Sequence, residues 1–83
     1  MSLYLDVHTI AGGVNAADVA HAHEADLQTQ DRHGVQYLRY WVSEDQGKVF
    51  CLVEAPSADA ATAVHKEAHG LVADDVFLVA EGS

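Results

Sequence analysis

Two runs of the chain, VQYLRYWV (residues 35–42) and VFCLVE (residues 49–54), are separated only by SEDQGK. Both are rich in valine and aromatic or branched residues, and a short polar turn between two such runs makes a β-hairpin. Strict alternation places Val35, Tyr37, Arg39 and Trp41 on one face, with Gln36, Leu38, Tyr40 and Val42 on the other. Large apolar groups therefore occur on both faces, and such a strand pair needs cover on both. Helices can cover one face and a second copy of the chain the other.

The flanking segments supply the helices. SLYLDVH alternates, with Leu3, Leu5 and Val7 opposite Tyr4, Asp6 and His8, and it is expected as a strand with one buried face. Asn15 is a helix cap, with Asp18 at the third helical position. Val19, Ala22, His23 and Leu27 follow as a narrow apolar stripe, interrupted by the charged Asp26, and Gly34 is a plausible stop. After the hairpin, Ser57 caps a second helix with the stripe Ala61, Val64, Ala68 and Leu71, broken at Gly70. VFLVA (residues 76–80) is a last strand. The order βαββαβ in one domain, residues 1–83, predicts a ferredoxin-like α/β sandwich. It has a four-stranded antiparallel sheet, two helices on one face and room for an extra short strand.

Charge narrows the function. Thirteen acidic residues face four basic ones, a net charge of -9. That excludes a nucleic-acid backbone as the expected partner, since phosphate binding needs clustered Lys and Arg. A single cysteine, Cys51, rules out an internal disulfide and is expected to be buried and inert. No stretch reaches transmembrane length and no leader pattern opens the chain, so no membrane partner is expected and a cytoplasmic location is the simplest reading. Phosphate-loop and serine-nucleophile motifs are missing, and HKE at 65–67 is not a zinc-hydrolase signature.

Six histidines stand out in so short a chain. His65 and His69 are four apart on a helix and share a face. His23 and His65 each lie eight residues beyond their caps, about 12 Å along helices expected to run parallel. Three imidazoles can then converge on one ion, and nickel, copper, cobalt and zinc all accept imidazole nitrogen. Their ordinary alternative is a hydrogen-bonded histidine near a helix end. His8 and Glu54 end the first and third strands, which are expected as parallel neighbours, so their side chains are expected to meet. His33 precedes Gly34 and is expected at the helix cap. His21 points elsewhere and is expected at the surface. Alanine at His65 and His69 is expected to leave the fold intact, because helix propensity rises at both positions.

The stretch QDRHGVQYLRYWVSEDQGKVFCLVEAPSADAATAVHKEAHGLVADDVF, with YLDVHT and AHEADLQTQ before it, resembles a family of short actinobacterial nickel-binding proteins formerly labelled a domain of unknown function. The resemblance spans nearly the whole chain. It implies a ferredoxin-like homodimer with surface-bound nickel and a role in nickel sequestration or tolerance. The family's recurring histidines fall on His8, His23, His33, His65 and His69, with Glu54 in the strand-end motif. No small-molecule substrate is implied. A different reading is a small cofactor-free dimeric enzyme, monooxygenase- or isomerase-like, with His8, Tyr37, Arg39 and Glu54 in a pocket. A third is a non-catalytic interaction module. A deep cavity containing His8 favours the enzyme, and a shallow surface cluster favours metal binding.

Overall fold

A computed structural model describes residues 1–82. It contains β1 (Ser2–Thr9), α1 (Ala16–Thr29), β2 (Gln36–Ser43), β3 (Lys48–Ala55), α2 (Ala58–Ala68) and β4 (Asp75–Val79). The sheet order is β2-β3-β1-β4 and every neighbouring pair is antiparallel, the ferredoxin-like arrangement. No additional strand forms among the described residues. The additional element is a 3-10 turn, Gln30–His33, closed by Gly34 at φ 66.

Both helix starts are local. The Asn15 side chain accepts from the Asp18 N–H, and the Ser57 side chain from the Ala60 N–H. At the end of α2 the Gly70 N–H reaches the His65 carbonyl at 2.9 Å with φ 80, a left-handed turn that favours glycine.

The sheet departs from strict alternation in β2. Tyr37 pairs with Val53 and Arg39 with Leu52, so Leu38 is an extra residue, a β-bulge. The bulge reverses the faces beyond it. Tyr37, Tyr40 and Val42 thereby all join the helix-covered side, whereas Arg39 and Trp41 move to the other. Tyr37 is buried, and Tyr40 and Val42 pack on the core with it. Val53, Ala55, Ala61 and Val64 form its centre at 0–1% exposure. Each fully buried valine of this kind contributes about 1.5–3 kcal/mol.

The faces of β1 are also inverted from expectation. Asp6 and His8 are buried beneath the helices, and Leu3, Leu5 and Val7 look out from the opposite face. On α1, Asp26 is buried and Leu27 exposed, so the charged residue lies within the buried stripe. Carboxylates and imidazoles occupy these inner positions because they satisfy one another there.

Antiparallel pairing of β1 with β3 corrects two further expectations. A crossover helix runs opposite to the strand it leaves, so α1 and α2 are antiparallel, and equal distances from their caps do not place His23 beside His65. Glu54 pairs with Leu3 while His8 pairs with Val49. Glu54 and His8 thus lie five positions apart along the strand, about 17 Å, and on opposite faces.

Candidate metal centre

Every strand and α-helix but β4 delivers one or two polar groups to the space between sheet and helices. Asp6 and His8 come from β1, Tyr37 from β2, Cys51 from β3, Asp26 from α1 and His65 from α2, with His69 just beyond it. His65 is the hub. Its Nδ1–H donates to Asp26 Oδ1 at 2.9 Å and its Nε2–H to Asp6 Oδ2 at 3.0 Å. Carboxylates only accept, so both ring nitrogens carry protons and the group is an imidazolium. His65 is 2% exposed, Asp26 2% and Asp6 1%. The histidine cluster is therefore interior, not on the surface as the resemblance implied.

Electrostatics follow from this geometry. Burial pushes His65 down, but the hydrogen bonds to Asp26 and Asp6 outweigh it and hold its pKa at about 9. Burial also opposes charge on Asp6 and Asp26. Hydrogen bonds from His65 to both, from His8 to Asp6 and from His69 to Asp26 prevail, so both carboxyls sit below the usual range. Burial and then the Asp6 charge push the Tyr37 hydroxyl up. It stays protonated and lies 3.0 Å from Asp6 Oδ2 and 3.1 Å from the Ala61 carbonyl, its two acceptors. His8 Nε2–H donates to Asp6 Oδ1 at 3.2 Å.

Asp26, His65 and His69 converge most closely. The three distances between Asp26 Oδ1, His65 Nδ1 and His69 Nε2 are 2.9, 3.0 and 3.2 Å. An ion about 2.1 Å from each donor spaces them about 3.0 Å apart as neighbours in an octahedron, and about 3.4 Å in a tetrahedron. The donor spacing matches neighbouring positions of an octahedral divalent ion more closely than those of a tetrahedral one. A second group, Asp6, His8, Cys51 and His65, also lies within metal-ligand reach. It requires the Cys51 thiol to ionise, and burial together with the Asp6 charge pushes that thiol up. The first group therefore fits better.

The other expected residues separate. His23 lines the same cavity, packs against Tyr40 with its ring tilted at 47° and centroids 4.7 Å apart, and has a buried, unpartnered Nδ1. Burial lowers its pKa, although Asp26 acts against this. His33 bonds Glu67 at 2.9 Å, tying the 3-10 turn to α2 away from the cluster. Glu54 lies on the far face of the sheet, as its pairing with Leu3 requires. His21 is exposed. Asp6 and Asp26 were missed as site residues. Their signal was present, since Asp26 interrupts an apolar helix stripe and Asp6 stands in an otherwise apolar run.

A cavity of about 160 Å³ adjoins the cluster. Its polar side includes His8, Asp18, His23, Asp26, His65 and His69, and its apolar side includes Val14, Val19, Ala22, Val49 and Leu71. No helix is long and apolar enough to cross a membrane.

Comparison with curated proteins finds no significant match. Among solved structures, the crystal structure of SCO4226 from Streptomyces coelicolor A3(2) is similar, with a TM-score of 0.90 and 32% identity over 99% of this chain and 100% of that one. The model of the nickel responsive protein family, SCO4226-like, matches residues 4–79, and the chain belongs to that family.

Proposed function

We propose that the protein binds a divalent transition ion, nickel by kinship, through Asp26, His65 and His69, and serves nickel sequestration or tolerance. The supporting observation is the convergence of one carboxylate oxygen and two imidazole nitrogens at 2.9–3.2 Å from one another. A bound ion supplies Lewis-acid charge at a site where a proton otherwise holds the donors together. Loading removes the proton from His65 Nδ1, while Asp6 keeps its hold on Nε2–H and orients the ring. His69 Nδ1 accepts from the Leu71 N–H at 3.1 Å. Ligation through Nε2 transfers the His69 proton to Nδ1, so the Leu71 N–H must let go.

Calorimetric titration tests this. Wild-type protein should bind nickel tightly, copper at least as tightly in line with the Irving–Williams order, cobalt and zinc measurably, and magnesium hardly at all. His69→Ala and Asp26→Asn should each lose tight binding, with His21→Ala as the unaffected control. Wild-type affinity and stoichiometry in both variants would place the ion elsewhere.

The open sheet face supports a homodimer. Leu3, Leu5, Arg39, Trp41, Leu52 and Val79 line one depression there, and Phe77, opposite Leu5, extends it. Trp41 is 48% and Phe77 51% exposed, and a second copy would cover both. Sedimentation at micromolar concentration should give twice the chain mass.

A further inference from the structure

We infer that the cavity between sheet and helices is a binding site for a neutral, hydroxylated, single-ring aromatic compound of the phenol class. Size sets the first limit. The cavity measures about 160 Å³, and an apolar protein cavity of roughly 150 Å³ takes benzene. Its wall of Val19, Ala22, Val49 and Leu71 suits a flat apolar ring, and Leu71, 53% exposed, stands at its solvent edge.

Two imidazoles on the cavity wall, His8 and His23, have a nitrogen without a protein partner among the described residues, and of these His23 Nδ1 is closed off from solvent, which leaves His8 for a ligand. His8 is 5% exposed and lines the cavity. Its Nε2 is tied to Asp6 Oδ1 at 3.2 Å, whereas its Nδ1 has no protein partner among the described residues and is not among the atoms closed off from solvent. The Asp6 carboxylate thus fixes the ring and presents Nδ1 to the cavity, the arrangement in which a carboxylate orients a histidine toward a ligand. A ligand hydroxyl both donates and accepts, so it pairs with Nδ1 whichever proton state the ring holds. Charge sets the last limit. Asp18 and Asp26 are carboxylates on this wall, the His65 imidazolium there is already paired with Asp26, and the chain carries a net charge of -9, which disfavours an anionic head such as a carboxylate.

The test uses the full chain freed of metal by a chelator, so failure of the nickel reading leaves its result unchanged. Phenol, benzene and benzoate are titrated by NMR, with ring-to-methyl Overhauser contacts recorded to Val49 and Ala22. Phenol should bind one per chain with contacts to both residues. Benzene should bind about fivefold more weakly, the value of one net hydrogen bond, and benzoate should not bind. Ala22→Phe, which fills the cavity, should abolish phenol binding in protein whose circular dichroism is native. His8→Leu should bring phenol to the benzene level. Absence of saturable phenol binding to folded wild-type protein overturns the inference. So do Overhauser contacts lying elsewhere, or equal affinity for phenol and benzene.

Discussion

Raising the pH of the metal-free protein should destabilise it from the inside. His65 has a folded pKa of about 9 against 6.5 for the free side chain, because Asp26 and Asp6 accept from both its nitrogens. A histidine whose pKa is raised on folding contributes stability that is complete below the unfolded value and is lost as pH climbs through the folded one. The shift of about 2.5 units corresponds to about 3.4 kcal/mol, of which about 3 kcal/mol is lost between pH 6 and pH 9. That is a large part of the 5–15 kcal/mol typical of whole domains. The same interactions lower Asp6 and Asp26, whose contribution is present above the ordinary carboxyl pKa and lost only in acid, so they do not move in this window. Cys51 and Tyr37 are raised on folding, which subtracts stability as the unfolded thiol and phenol ionise; the thiol adds a loss of about 0.4 kcal/mol by pH 9, shared by the His65→Gln control. His8 and His69 also face His65, with ring centroids 4.9 Å away in each case, and a His65→Gln control isolates the contribution of His65. Urea unfolding of chelator-treated protein from pH 6 to 9 measures the loss. A stability unchanged across that range in the wild type, or a loss as large in His65→Gln as in the wild type, would refute the reasoning.

Nickel affinity should rise about tenfold per pH unit from 7 to 9 and level off above, since one proton leaves His65 on loading; calorimetry in buffers of different ionisation heat counts it. This is a higher window than an ordinary histidine pKa near 6.5 predicts. His65→Ala takes from two buried carboxylates their shared imidazolium, leaving Asp6 to His8 and Tyr37 and Asp26 to His69, and should cost about 3 kcal/mol in a denaturant melt, although the helix itself gains propensity. Trp41→Glu should give a monomer by sedimentation while circular dichroism stays native, because the charge falls on the open sheet face. The Leu71 amide should exchange faster by hydrogen-exchange mass spectrometry in metal-loaded protein than in metal-free protein, as its acceptor on His69 becomes a donor.

What the amino-acid sequence determines here is local. Asn15 and Ser57 cap their helices by reaching three residues along the chain, and Gly70 ends α2 through its own backbone freedom. The βαββαβ order follows from such short-range signals together with alternation, and with it the ferredoxin-like sheet. The i,i+4 spacing of His65 and His69 is equally local, and the two rings do meet. Other features were decided by tertiary structure, because they depend on which way neighbours run and which face they cover. Antiparallel pairing sends Glu54 to the far end of the sheet from His8 and turns α1 against α2. One inserted residue, Leu38, exchanges the faces of β2 and brings Tyr40 inward while sending Trp41 out. A hydrophobicity pattern marks Asp6 and Asp26 as interruptions but cannot by itself place them in the interior. A buried carboxylate is costly alone and acceptable only beside its partner, and His65, 59 residues from Asp6 and 39 from Asp26, becomes that partner only when the helices close over the sheet.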